Sequence, residues 1–364
     1  MQNRLVMNVF CFLAPLFTWL ITLLTPGRNS RVLTQECRNK CRIMMLVNSL
    51  TSYMAADGST TLQSIVEQCY AQGDFPALWA IEGVGKDFAE WHMAKTLTPT
   101  RLLIDAPLEP KWEKSLLMLH AGIGMAFGKH WIEPLAEDCP DADVRKAVTS
   151  TVDLCRNNSR PGYYGPAIES LGLVTRFMKS PAFSMRVHKA LTEYAPDSVG
   201  YYWRGMGRSI YFGPKNFMPG FSKPSRAIDM CAEEAPSEEL RQGLLSGVAW
   251  AVTVVNMETP EVMEWVLENS EDYFGANPGY PNGVTSSVVM RYDITPGFPL
   301  IDRFRNYKPS DPKAAQLWKT AIAEPMRFAI ETLHPLLQKN VCLGEIFHYQ
   351  SLPDLAAKLT AGNS

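Results

Sequence analysis

Apolar positions along this chain recur mostly with helical spacing. Phe183, Val187, Leu191 and Tyr194 fall on one side of a 3.6-residue helix, and Val262, Trp265 and Val266 begin another such stripe. Two further stretches are apolar nearly all round: Leu116 to Phe127 is interrupted only by His120, and Leu244 to Val255 carries only Ser246 and Thr253. A helix apolar on every side is buried on every side, so these stretches predict inner helices flanked by others. Start signals agree. Ser180-Pro181, Thr259-Pro260-Glu261 and Asp311-Pro312 each place a capping side chain before a proline at the first helical position. Ser237 precedes Glu238 and Glu239, carboxylates in a first turn where the helix dipole favours them. Sustained alternation with β-branched residues is rare, so the expected fold class is all-α.

A Gly-x-small signature punctuates the pattern: Gly83-Val84-Gly85, Gly122-Ile123-Gly124, Gly165-Pro166-Ala167, Gly205-Met206-Gly207 and Gly247-Val248-Ala249. Successive first glycines stand 39, 43, 40 and 42 residues apart. That spacing predicts a helical-repeat array of about five units, each roughly a pair of helices of ~40 residues. Residues i and i+2 point about 200° apart on a helix, so small residues there thin it on two nearly opposite faces. Glycine within a helix costs about 0.5–1 kcal/mol relative to alanine, and repeated placement implies a packing gain. A sixth copy near 287 finds only Ser286-Ser287-Val288. The 275–300 stretch is rich in Gly, Pro and aromatics, which predicts an irregular and functional loop, followed by a closing helical segment over 312–340.

The first residues are different. From Leu5 to Leu24 no side chain is charged, and Leu5, Phe10, Phe12, Leu16, Phe17, Trp19, Leu20 and Leu24 supply a strongly apolar surface. Twenty helical residues span the roughly 30 Å hydrocarbon layer, so residues 1–28 are expected to form a single-pass membrane anchor. Arg28, Arg31, Arg38, Lys40 and Arg42 follow it, and the positive-inside bias then places the body, residues 29–364, on the cytoplasmic side of a bacterial inner membrane. A cleaved signal peptide and an amphipathic or protein-buried helix are the competing readings. Against the signal peptide, the run is long and no Ala-x-Ala site follows before Pro26-Gly27.

Composition adds boundaries. Apolar and charged fractions of 46% and 20% are those of a folded protein, and a net charge of −2 gives no reason to expect nucleic acid as a partner. Eight scattered cysteines suit a reducing compartment. Cys37 and Cys41 share a helix face without the spacing of a redox or metal pair. No phosphate loop, nucleophile elbow, zinc-binding helix or haem-attachment motif is present, and no cofactor or metal is implied.

The remaining chemistry lies beside the glycines. Glu82, His120, Glu169 and Arg208 flank successive copies, with Lys86, Asp87 and Arg204 nearby. Two readings apply. They are polar groups satisfied inside a helical core, or they converge in a pocket where Glu82 and His120 form an acid/base pair acting on an apolar, polyketide- or lipid-like substrate.

Trp203-Arg204-Gly205-Met206-Gly207-Arg208-Ser209-Ile210-Tyr211-Phe212 resembles a Gly-Leu-Gly-Arg-Ser-Leu-Trp-Phe block of the UnbL-like bacterial family, uncharacterised proteins found beside enediyne polyketide synthase genes. Ile81-Glu82-Gly83-Val84-Gly85, His120-Ala121-Gly122-Ile123-Gly124-Met125-Ala126 and Leu244-Leu245-Ser246-Gly247-Val248-Ala249-Trp250-Ala251 are similar to other blocks of that family, in the same order over roughly 60–260. Arg204 stands where the family pattern has glutamine. The resemblance implies association with an integral membrane protein and a repeat-containing partner, and supplies no catalytic residues. The expected function is therefore a membrane-anchored, non-catalytic helical-repeat scaffold or accessory subunit of a multi-subunit membrane complex, in contact with the lipid bilayer and holding a lipid or pigment near the anchor.

Overall fold

The computed structural model describes residues 13–14, 16, 19–20, 22–24, 27–49, 60–213, 216, 226–269 and 277–362, and these contain helices and no strand. The helices are α1 (Arg28–Ser49), α2 (Leu62–Ala71), α3 (Asp74–Met93), α4 (Leu116–Ile132), α5 (Asp141–Asn158), α6 (Tyr164–Met178), α7 (Pro181–Tyr194), α8 (Val199–Phe212), α9 (Arg226–Glu234), α10 (Glu238–Asn256), α11 (Pro260–Asn269), α12 (Gly279–Ile294) and α13 (Pro299–Arg305). A closing segment follows as α14 (Pro312–Trp318), α15 (Glu324–Phe328) and α16 (His334–Lys339), joined by π-helical turns at Lys319–Ala323 and Ala329–Leu333; α17 (Leu352–Ala361) ends it. Ser180, Ser237 and Asp311 cap as their sequence predicts, accepting from the backbone N–H of Phe183, Leu240 and Ala314. Thr259 instead accepts from the Asn39 amide at 2.7 Å, tying α11 to α1.

Helices α3, α4, α6, α8, α10 and α12 pack consecutively as an inner row, with α2, α5, α7, α9 and α11 outside it. The all-round apolar stretches lie in α4 and α10, and nearly every residue of those stretches is buried. The glycines set the contact. A β-carbon at Gly83 would overlap the Val47 carbonyl of α1, and one at Gly85 the Leu119 carbonyl of α4. In α4, Gly122 faces the Glu82 carbonyl of α3 and Gly124 the Ala167 carbonyl of α6. In α8, Gly205 faces the Glu169 carbonyl of α6 and Gly207 the Leu244 carbonyl of α10. The two small residues of one copy thus meet opposite neighbours, as the 200° separation requires, and their Cα–H groups rest on carbonyl oxygens. In the third unit, Ala167 and Gly172 occupy these positions, while Gly165 packs at the start of α6 under the Gly344 carbonyl.

The row curls back on itself. Trp79 of α3 meets Trp250 of α10 edge-on at 6.4 Å, and Arg291 of α12 stands 5.4 Å from the Phe75 ring of α3. The expected irregular loop over 275–300 is corrected here: Gly279–Ile294 is α12, the sixth inner helix, and Pro299 opens α13. Pro281 sits in the first turn of α12, where a missing N–H costs no intrahelical bond. Gly283 faces the Ser246 carbonyl of α10, so a glycine still makes the close contact outside the two-residue motif. Residues 275 and 276 lie outside the described residues. Tyr194, read as part of an apolar stripe, is 42% exposed and donates to Asp153 at 2.7 Å.

The described residues of 13–24 are helical and form an arm against α1. Ala14 packs with Cys37 and Cys41 in a small cluster separate from the main core, and the Thr22 and Thr34 hydroxyls are 2.6 Å apart. No helix among the described residues is long and apolar enough to cross a membrane. The expected single-pass anchor therefore gains no support here, and Leu5, Phe10, Phe12 and Phe17 lie outside the described residues.

Candidate functional site

Three of the four flagged polar residues converge. Arg208 of α8 donates to Glu169 of α6 at 2.6 Å and to Glu82 of α3 at 3.0 Å. Arg204, one helical turn before it, donates to the other Glu169 oxygen at 2.7 Å and to the Ser286 hydroxyl of α12 at 2.9 Å. Side chains of Glu82, Glu169, Arg204 and Arg208 are at most 3% exposed, and two carboxylates balance two guanidinium groups. The Arg208 guanidinium lies 4.3 Å from the Trp250 ring centre and that of Arg204 5.5 Å, which offsets the Nε atoms that find no hydrogen-bond partner.

The electrostatics follow from burial. Desolvation pushes Glu82 above the usual carboxylate range, with Arg208 pulling against it. Burial lowers Arg204 to about 10, while Glu169 and Glu82 outweigh burial at Arg208 and hold it above its ordinary value. Such a cluster fixes which helices meet. All four charged side chains lie in the interior.

His120 is not part of it. Its Nδ1 donates to the Leu116 carbonyl at 2.7 Å and its Nε2 accepts from the Arg160 backbone N–H at 3.1 Å. The ring stacks on Tyr163, and burial lowers its pKa to about 3, so it is neutral and has no free nitrogen. The acid/base pairing of Glu82 with His120 is thereby corrected: both ring nitrogens are committed elsewhere.

Several buried polar groups had no signal in the sequence. Glu264 of α11 accepts from the Tyr307 hydroxyl at 2.5 Å, from Ser310 through N–H and hydroxyl at 2.7 Å each, and pairs with Arg28 at 3.0 Å. Its pKa is lowered although burial opposes the shift, because these donors hold the charged form. Arg291 is 1% exposed, none of its three guanidinium nitrogens has a hydrogen-bond partner, and it lies 4.7 Å from the Phe298 ring. Burial lowers it to about 10.

Open grooves occur on the surface of the described residues. One of about 450 Å³ lies between α1 and α11, lined by Arg28, Arg31, Gln35, Thr259 and Glu261; another, about 470 Å³, lies by Phe88, His92, Arg101 and Asp105. Neither is lined by the central ions. No group of His, Cys, Asp or Glu that could hold a metal occurs among the described residues.

The exposed large apolar side chains concentrate on the arm: Leu13, Leu16, Trp19, Leu20, Leu23 and Leu24 are between 47% and 82% exposed. The basic residues after it are not all available to a membrane. Arg28 binds Glu264 and Glu268, Arg42 binds Glu258, and Lys40 is buried over the Tyr211 ring at 3.9 Å. Arg31 and Arg38 face outward. Compared with protein-family models, curated proteins and solved structures, the chain matches none.

Proposed function

We propose that this chain is a non-catalytic helical-repeat scaffold or accessory subunit, held at a membrane by its N-terminal apolar segment and binding a membrane-protein complex with its helical body. The observation that carries the reading is a division of labour. The central charges of Glu82, Glu169, Arg204 and Arg208 neutralise one another inside the core, while solvent-facing apolar side chains gather on the arm. An exposed apolar patch of that kind marks an interaction surface. The resemblance to UnbL-like proteins supports the same company, and the positive-inside bias of the residues after the apolar run puts the body on the cytoplasmic side. Arg204 and Arg208, within the most similar block, serve the fold in this reading.

The full chain, purified from membranes in mild detergent and weighed by native mass spectrometry, tests it. A stoichiometric membrane-protein partner is the expected result. A lone monomer that fractionates away from membranes overturns the proposal.

A further inference from the structure

We infer that the N-terminal arm lies flat in the headgroup region of an anionic bilayer while still docked on α1, instead of crossing the membrane. This rests on the membrane reading above and names the mode of attachment.

One side of the arm is already occupied. Ala14 packs on Cys37 and Cys41, and Thr22 contacts Thr34 and the Ser30 carbonyl. These contacts are eight residues apart, about two helical turns, so α1 holds the arm along its described length. The other side presents Leu13, Leu16, Trp19, Leu20, Leu23 and Leu24. On α1, Ser30, Thr34, Cys37 and Cys41 form the stripe that meets the arm. Arg31, Arg38 and Met45 fall immediately beside that stripe at 100° per residue and are exposed.

An apolar ridge therefore runs beside a basic strip. That pairing fits the boundary between acyl chains and anionic headgroups: leucines enter the chains, Trp19 sits at the interface, and Arg31 and Arg38 meet the phosphates. An acidic protein surface would match the arginines and leave the leucines in water. Crossing the bilayer would pull Ala14 and Thr22 off α1 and open the Cys37–Cys41 stripe to solvent.

The test is a lock. Ala14→Cys in a Cys11→Ser background is oxidised to a disulfide with Cys37 or Cys41, fastening the arm to α1. The full chain is then diluted from mild detergent onto phosphatidylcholine vesicles with or without phosphatidylglycerol and floated. The expected result is that locked and reduced proteins float equally with phosphatidylglycerol vesicles and are extracted by alkaline carbonate. Arg31→Ala with Arg38→Ala should weaken binding about thirtyfold, the loss expected for two arginines at an anionic surface. Leu20→Ser with Leu23→Ser should weaken it at least as much in both lipid mixtures.

If only the reduced protein floats, and it resists carbonate, the arm spans the bilayer: the inference falls and the membrane reading stands. If the disulfide does not form, the arm is not docked on α1 and the inference falls. If neither form floats, the membrane reading falls with it.

Discussion

Arg208 on α8 and Glu82 on α3 meet at 3.0 Å across 126 residues of sequence. Two helices that are not neighbours in the inner row are joined by one ion pair, and Glu169 shares the same guanidinium at 2.6 Å. Removing one member of such a cluster strands the others in a low-dielectric interior. Arg208→Ala is expected to destabilise the fold by about 3–5 kcal/mol. Adding Glu82→Leu to that variant should recover part of the loss. Urea denaturation of the two single variants and the double variant measures the coupling; strict additivity would refute the cluster's role.

Two glycines on α4 should respond in opposite directions to the same substitution. Gly124 lies against the Ala167 backbone of α6, so Gly124→Ala must push helices apart and should cost about 1–3 kcal/mol or more. A β-carbon at Gly128 would meet Val174 Cβ at an ordinary 3.5 Å. Gly128→Ala should then stabilise by about 0.5–1 kcal/mol through helix propensity and a stiffer unfolded chain. Melting temperatures of the two variants give the comparison.

Stability should fall with acid in a window set by His120. Its pKa is depressed in the fold from 6.5 to about 3, so the unfolded chain binds a proton there that the native chain does not. Native stability from this group is complete above 6.5 and is lost as pH falls towards 3, by about 1.4 kcal/mol for each pH unit. A pH series of urea midpoints should show His120→Gln with a slope shallower by about one proton. An unchanged slope would mean that the ring is protonated in the fold.

Arg291 offers the opposite case to Arg208. Its guanidinium is buried beside Phe75 and Phe298 with no hydrogen-bond partner. Arg291→Met removes a desolvated charge and keeps the packing stem, so stability should hold or rise by about 1–2 kcal/mol. A loss above about 2 kcal/mol would show that the ring contacts outweigh desolvation.

The row of inner helices was legible because its signal is local. Gly83-x-Gly85, Gly122-x-Gly124 and Gly205-x-Gly207 encode in two residues the approach of two neighbours. The sixth inner helix escaped because its glycines, 279 and 283, stand four apart on one face, and Pro281 mimics a breaker although it lies in a first turn. Glu82, Glu169 and Arg208 could be flagged from their places beside the glycines. Their pairing could not, since it depends on how far the row curls. His120, on α4, instead meets the backbone N–H of Arg160. Glu264 with Tyr307 and Ser310 left no trace, being assembled from a helix and a loop 43 to 46 residues later.

An open solenoid can gain or lose a unit at its end and remain the same kind of object. Here Glu82 from the first inner helix, Glu169 from the third, Arg204 and Arg208 from the fourth and Ser286 from the sixth must arrive at one point. Insertion or deletion of a unit would bring the wrong charges to the centre. The chain keeps the sequence rhythm of an extendable array, but its unit number is closed to drift.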